Sequence, residues 1–473
     1  MKLVYDVKDN PRNSSMKFGQ MLVFAVQQLL AIMAATIAVP NIVGNGLTPS
    51  SALMGAGVGT LVYLLFTKFR SPVFLGSSFA FIGSMLSAFA GGVSMQLGFL
   101  GLVLGAVFAG LVYVIIAIIV KFAGVAWIDK LMPPVVIGPT VAIIGLSLAP
   151  NAISDLTGGA AFDSATGSFM MTPHIAICIL CGLVTLIVTM LCSVFGKKMV
   201  KLIPFILGIL AGYAVATVFT LIGMANGNEA LQIVDFTPFV NAFSTINFES
   251  FFSVPMITFA EAFKGIGELN GSYIATIAVA YIPVAFVVFA EHLADHKNLS
   301  TIINRDLTKD PGLCRTLLGD GVGSVAGTLF GGCPNTTYGE SIGCVAITKN
   351  ASVCTILTTA VMCILIAFLT PFVCFLETIP NCVMGGVCIA LYGFIAVSGL
   401  KMLQSVNLDK NRNLFTASVI LIAGIGNFAL TFGKVTLRTV AVALILGILT
   451  NFILRKHKHH APESTEVENQ IIK

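Results

Sequence analysis

Charge is what this chain has least of. Only 10% of its 473 residues are Asp, Glu, Lys or Arg, against about 25% in a typical soluble domain. A soluble globular protein of this length is excluded on that ground, and a mean hydropathy of +0.95 agrees. The apolar runs do not alternate with polar residues, which excludes a β-barrel. No HExxH, Walker loop or GxSxG elbow is present, so no motif argues for a hydrolase or an ATPase. No cleavable signal peptide is visible, because the first apolar run, from near Met16, is too long for an h-region. The eleven cysteines do not read as a disulfide set. Cys178, Cys181, Cys192, Cys354, Cys363 and Cys388 sit inside apolar helices, where a free thiol behaves as a small hydrophobe. Cys178 and Cys181 have CxxC spacing but no His partner on their helix, so neither metal nor redox use is expected.

What is present is a series of apolar runs, many reaching the roughly 20 residues that cross a bilayer as a helix. They lie near 18–39, 51–67, 73–91, 96–120, 134–150, 173–195 and 202–223. After a less apolar stretch they resume near 273–296, 319–332, 337–348, 352–375, 378–398, 414–431 and 437–454. The expected class is an all-α polytopic membrane protein with fourteen spans, seven plus seven. If the N-terminus is cytoplasmic and the loops alternate, only Lys264, Lys434 and Arg438 fall outside, leaving 23 of the 26 Lys and Arg inside. That asymmetry is the positive-inside pattern. The net charge of +5 is therefore a topology signal, not a nucleic-acid signal.

Seven is odd, so the second half enters from the opposite side, as in an inverted repeat. The third span of each half is interrupted. One contains Gly76-Ser77-Ser78-Phe79-Ala80-Phe81 after Pro72. The other contains Asn335-Thr336-Thr337-Tyr338-Gly339-Glu340 after Pro334. Proline blocks a helical hydrogen bond and glycine weakens the helix. In lipid, such backbone and an ionisable Glu340 are tolerated only inside protein or beside a watery cavity. A matched pair of broken segments points to a midplane binding site.

Near the end of the eighth span, Glu291 and Asp295 are four residues apart and share a helix face. A carboxylate pair there suits proton uptake and release; a plain solvated helix end is the alternative, more so for Asp295. His292, about 100° around the helix, reads as a packing histidine. His296 reads as interfacial, and His174 as a membrane-edge group. The helix N-terminus expected at Gly339 offers free N–H donors to carbonyl oxygens, and Gly76 to Phe79 would offer a second backbone end. With carboxylate acceptors and the aromatic faces of Phe79 or Tyr338, the set suits a small, flat, neutral heterocycle with alternating C=O and N–H groups. Plain packing remains the alternative for Phe79 and Phe81.

Several motifs together resemble the nucleobase–ascorbate transporter family, and within it the branch of bacterial uracil permeases. They are Ala290-Glu291-His292, Arg305-Asp306, Lys309-Asp310-Pro311-Gly312-Leu313 and Pro334 through Gly343. Gln27-Gln28, Ala35-Thr36 through Val39-Pro40, Gly76 through Phe81, and Met384-Gly385-Gly386-Val387 also look like that family. The likeness spans about residues 18–455. The Tyr-Gly-Glu form looks like the uracil branch, where the xanthine branch usually has Gln. The resemblance implies a transporter rather than an enzyme, with no cofactor, importing uracil by proton symport and alternating access. It implies a core domain (18–131 and 273–376) and a gate domain (132–224 and 377–455). An extracytoplasmic connection (225–272), a cytoplasmic segment (1–17) and a cytoplasmic tail (456–473) complete the chain. It further implies a cell (inner) membrane location and often a dimer, for which the gate domain is the expected contact. By match, Glu291 and Glu340 would contact uracil by side chain, Phe79 and Gly339 by backbone, with Tyr338 nearby. Glu291, Asp295 and Glu340 are the proton-coupling candidates. The chain departs from the best-known bacterial members by carrying Asp295, with His296 next, where they have His. A membrane-embedded enzyme and a purine or xanthine permease are the rival readings.

Overall fold

The computed structural model describes residues 4–6, 17–124, 126–160, 162–163, 167–197, 199–432, 435–437 and 439–455. The segment 7–16, the tail 456–473, and Lys198, Lys434 and Arg438, on which part of the charge count rests, lie outside the described residues.

The chain is a helical membrane protein. Eight helices are long and apolar enough to cross a membrane among the described residues, and four shorter apolar helices accompany them. The principal helices of the first half are α1 (Phe18–Val43), α2 (Pro49–Phe66), α3 (Ile82–Ala88), α4 (Met95–Ala123), α5 (Pro134–Ser147), α6 (Pro173–Phe195) and α7 (Pro204–Asn226). Those of the second half are α8 (Gly271–Ile303), α9 (Leu313–Gly331), α10 (Gly339–Thr348), α11 (Val353–Ala367), α12 (Asn381–Leu403), α13 (Asn411–Ile425) and α14 (Thr439–Arg455). Two short strands, β1 (Leu75–Ser77) and β2 (Asn335–Thr337), interrupt the third apolar run of each half.

Starts and stops follow local chemistry. Thr48, Ser94, Thr172, Asn270 and Ser352 each cap a helix start through a side-chain oxygen. Proline follows at the first helical position of α2 and α6. Asp6 adds a second cap on α11, accepting from the Ser352 hydroxyl at 2.6 Å and from Val353 N–H at 2.8 Å.

The helices pack as two groups. In one, α9 packs on α2 and α4, α8 on α4, and α11 on α1 and α2. In the other, α12 packs on α5 and α6, α7 on α6, and α13 on α14 and α5. Lipid supplies no hydrophobic drive between helices, so close backbone approach through small residues carries this packing. A Cβ at Gly55 would stand 2.5 Å from the Gly327 carbonyl oxygen and 2.8 Å from Gly331 Cα. A Cβ at Gly386 would stand 2.1 Å from the Gly182 carbonyl oxygen, joining α12 to α6. Gly386→Ala is therefore expected to lower the melting temperature, since overpacking costs about 1–3 kcal/mol. Gly393→Ala, on the same helix with nothing within 4 Å, is the control and is expected to be neutral or mildly stabilising. Equal melting of the two variants in detergent would refute the close-approach account.

Helix α8 has 33 residues, which is about 50 Å at 1.5 Å per residue. It thus extends well past the roughly 30 Å hydrocarbon core. His296, expected at the interface, is instead fully buried. The helix runs on seven residues beyond it to Ile303, so its surroundings are protein.

Candidate functional site

The broken spans meet each other. Strands β1 and β2 pair antiparallel, with Leu75 opposite Thr337, Gly76 opposite Thr336 and Ser77 opposite Asn335. The pairing continues outward, Ser78 N–H donating to the Pro334 carbonyl at 2.9 Å and Tyr338 N–H to the Phe74 carbonyl at 3.2 Å. Extended backbone in the middle of a membrane protein must find its partners internally. Thr60 Oγ1 serves both groups of Leu75, accepting from its N–H at 2.9 Å and donating to its carbonyl at 3.1 Å. Ser324 Oγ accepts from Asn335 N–H at 2.9 Å, and Asn335 Nδ2 donates to the Gly55 carbonyl at 3.0 Å. Gly332, at φ +74°, supplies the left-handed turn that ends α9 and releases the chain into β2.

This pairing narrows one expectation. The backbone of 75–78 is taken up by β2, by Thr60 and by the Tyr338 hydroxyl, and of the Gly76 to Phe79 stretch Phe79 is the residue that lines the smaller chamber. On the other side, α10 begins at Gly339 as the residue types predict. Its first turn has N–H groups without intrahelical partners. Gln28 of α1 holds that turn, its Nε2 donating to the Ser341 carbonyl at 3.2 Å and also meeting the Ser341 hydroxyl.

A cavity of about 390 Å³ is lined by Glu291, Asp295, Gly339 and Glu340 on one wall and by Val141, Phe205, Phe394 and Ile395 on the other. Its lining also includes Lys201, an exposed residue. A smaller chamber of about 50 Å³ shares Val141, Glu291, Gly339, Glu340 and Ile395 with it, and adds Phe79, Ala80, Ile144 and Tyr338. Beyond Phe79, Ala80 and Ile144 lies a third cavity of about 200 Å³, lined in part by Ser84, Asn151, Asn427 and Thr439. Phe79 and Ile144 thus stand between two openings. The Phe79 ring meets Tyr392 of α12 edge-on at 5.8 Å, which bridges the two helix groups.

The structure brings together all six residues singled out from the sequence. Glu291, Gly339 and Glu340 line both of the first two cavities, Phe79 and Tyr338 the smaller, and Asp295 the larger. Asp295 Oδ2 accepts from Thr337 Oγ1 at 2.6 Å, tying α8 to β2. Tyr338 lines the chamber, but its hydroxyl donates to the Ser77 carbonyl at 2.8 Å and lies 3.5 Å from Thr36 Oγ1. Its ring fills the space a Cβ on Gly76 would need, at 2.4 Å. Glycine at 76 is therefore required by this close approach.

Behind the carboxylates lies a buried polar layer. His292 Nδ1 is 2.7 Å from Asp320 Oδ2, and its Nε2 is 3.0 Å from Thr316 Oγ1. His296 Nε2 is 2.7 Å from the Tyr63 hydroxyl, which donates to Ser71 Oγ at 2.7 Å. The two imidazoles stack with centroids 4.0 Å apart. His292 is thus a satisfied buried histidine, as its helix position predicts. Sequence reasoning misses Asp320. The signal available is an acidic residue in the Gly319-Asp320-Gly321 run, inside the apolar run near 319–332, which marks a functional or paired group. A second correction concerns Cys178. It does have a histidine neighbour, His174 Nε2 at 3.6 Å, because the two are one helical turn apart on α6.

Comparison with known proteins gives the family and the fold. A permease family matches residues 19–433. A uracil permease of Bacillus caldolyticus is 37% identical over 476 residues, covering 99% of this chain and 98% of its own. A uracil permease of Bacillus subtilis strain 168 is 37% identical over 447 residues, covering 94% of each. The uracil permease of Escherichia coli K12 is 34% identical over 451 residues, covering 95% and 94%. Among solved structures, the transmembrane domain of the cyanobacterial bicarbonate transporter BicA superposes with a TM-score of 0.60 at 15% identity, covering 90% of this chain and 96% of that one. SLC26A9 superposes at 0.61 and 12% identity, covering 94% and 67%. These two share the fold. With a family match over most of its length and relatives above 30% identity across nearly all of it, the chain belongs to this permease family and is a transporter, not an enzyme.

Proposed function

We propose that this permease imports uracil by proton symport through alternating access. The observation that carries the reading is one chamber in which Glu291, Glu340, the open first turn of α10 and the Phe79 ring converge. Uracil presents ring N–H donors and carbonyl acceptors alternately around a flat neutral ring. Glu291 and Glu340 accept from the ring N–H groups, the amides at Phe79 and Gly339 meet its carbonyls, and Tyr338 shapes the wall by holding Gly76. The names of the full-length relatives support the substrate. Uptake of labelled uracil and xanthine, side by side in a permease-deficient cell, tests it. Uracil uptake without xanthine uptake is expected, and the reverse overturns the assignment.

The two helix groups correspond to a core (18–131 and 273–376) and a gate (132–224 and 377–455) that move against each other. Fourteen crossings, cytoplasmic termini, an extracytoplasmic connection over 225–272, a location in the cell's inner membrane and a homodimer formed through the gate belong to the same proposal. The large cavity reaches Lys201, on the side that the charge count assigns to the cytoplasm, which supports an inward-open arrangement. Single cysteines placed at 197–201 are expected to resist an impermeant thiol reagent added outside whole cells, and cysteines at 155–163 to react. The opposite pattern reverses the topology.

A further inference from the structure

The stretch between α7 and α8 reads in the sequence as a less apolar connection, yet part of its surface is strongly apolar. From Phe236 to Thr258, Glu249 is the one charged residue. The side chains of Ile246 and Phe248 are each 76% exposed and Val254 is 74% exposed, with Val240, Phe251 and Phe252 also exposed. Ring contacts tie part of this surface into a ridge. Phe239 stacks on Phe243 at 6.3 Å, Phe243 meets Phe251 edge-on at 6.1 Å, and Phe248 stacks on Phe252 at 5.2 Å. A ridge of this size in water would be an aggregation site.

The ridge is also held in place. Thr370 N–H donates to the Phe251 carbonyl at 3.0 Å and Thr370 Oγ1 to the Glu249 carbonyl at 2.7 Å. Ser253 N–H donates to the Phe368 carbonyl at 3.0 Å. Asn247 and Ser250 close a capping box beneath it. Phe252 bridges to Leu369, just past the end of α11. Val361, Leu365 and Leu369 recur every four residues as an exposed apolar stripe that begins on the apolar helix α11. α11 is one of the shorter apolar helices of this membrane protein, an exposed apolar stripe on it suits acyl chains, and the Phe252–Leu369 bridge joins that stripe to the phenylalanines.

We propose that the segment 236–254 is an interfacial membrane anchor, its phenylalanine ridge seated in the boundary between headgroups and acyl chains. Amphipathic surface segments bury an apolar face about 5–10 Å into that boundary. No Lys or Arg lies within the ridge, so the seat is apolar and does not depend on anionic headgroups. The anchor follows from the fold and is independent of the transported substrate.

Trp127 is the only tryptophan, so a Trp127→Phe background permits single reporters. Phe248→Trp and Ile246→Trp are placed in it, with Asn228→Trp, an exposed polar position, as control. The proteins are reconstituted in phosphatidylcholine vesicles with and without lipids brominated high on the acyl chain. Fluorescence at 246 and 248 is expected to fall with brominated lipid and to resist iodide, and the control at 228 to do the opposite. The same loss in vesicles without anionic lipid is expected. Quenching of 248 by iodide to the level of 228 overturns the proposal, because the ridge then lies in water. Protection from both quenchers, with disulfide cross-linking between copies carrying Phe248→Cys, also overturns it, because a second chain then covers the ridge. Should the tryptophan variants fold poorly, an apolar carbene probe dissolved in the bilayer reads the unsubstituted protein. Labelling of peptides spanning 246–254 supports the anchor, and labelling confined to the long helices refutes it.

Discussion

Glu291→Gln and Glu340→Gln are each expected to lose most uracil binding and transport. Both carboxylates line the small chamber beside Gly339, and in the proposed binding mode each accepts from a ring N–H. A glutamine keeps the size but offers an NH₂ group where a pure acceptor stood. A donor meeting a donor leaves a buried group unmatched at about 1–3 kcal/mol, which is roughly a 5- to 150-fold loss in affinity. The two variants differ in their second effect. Glu291 also shares its helix face and cavity with Asp295, so its loss is expected to disturb proton movement as well as binding. Glu340 sits at the first turn of α10, so its loss is expected to act mainly on recognition. Equilibrium binding and initial uptake of labelled uracil separate these effects. Near-normal binding and uptake in both variants would sink the site assignment.

Much of this arrangement is legible in the residue types, because the bilayer restricts what a sequence can mean. Long apolar runs with almost no charge permit only helices. Pro72 and Pro334, with the glycines around them, mark where a helix cannot continue, and that is where β1 and β2 interrupt it. The four-residue spacing of Glu291 and Asp295 is enough by itself to place them on one helix face. What stays hidden is pairing at a distance. Nothing local says that Gly76 lies opposite Thr336, some 260 residues away along the chain. Hydroxyls are equally opaque. Thr36, Thr67 and Thr359 all bond the carbonyl four residues back, as serine and threonine in helices commonly do. Thr60, Ser324 and Thr337 look the same in the sequence but serve β1, β2 and Asp295. The sequence misplaces His296 for a related reason. The apolar signal fades near it, while the helix and its protein surroundings continue to Ile303. Tyr338 shows the limit of reading an aromatic as a ligand face, since its hydroxyl is spent on the Ser77 carbonyl.

Asp295→Asn is expected to retain uracil binding and lose accumulation against a gradient, leaving exchange and downhill flux. Uracil is neutral at physiological pH, so a membrane potential alone cannot concentrate it. A cotransported proton adds one charge, worth about 2.3 kcal/mol per 100 mV, which is close to fiftyfold accumulation. That proton needs a carboxyl taken up on one side and emptied on the other. Asp295 lies one turn along α8 from Glu291, lines the cavity that reaches Lys201, and is held by Thr337 at 2.6 Å. Asparagine can still accept that hydrogen bond through its amide oxygen, so β2 keeps its tie to α8 and the chamber its shape. What disappears is the titratable proton. Thr337→Val makes the complementary change, removing the tie while leaving the carboxyl, and is expected to keep accumulation with altered affinity. Uracil binding, uptake under an imposed proton gradient, and counterflow in vesicles distinguish the two. If Asp295→Asn still concentrates uracil, and a protonophore does not collapse that gradient, protons do not move through this face of α8. If Thr337→Val alone abolishes accumulation, the hydrogen bond and not the carboxyl carries the coupling.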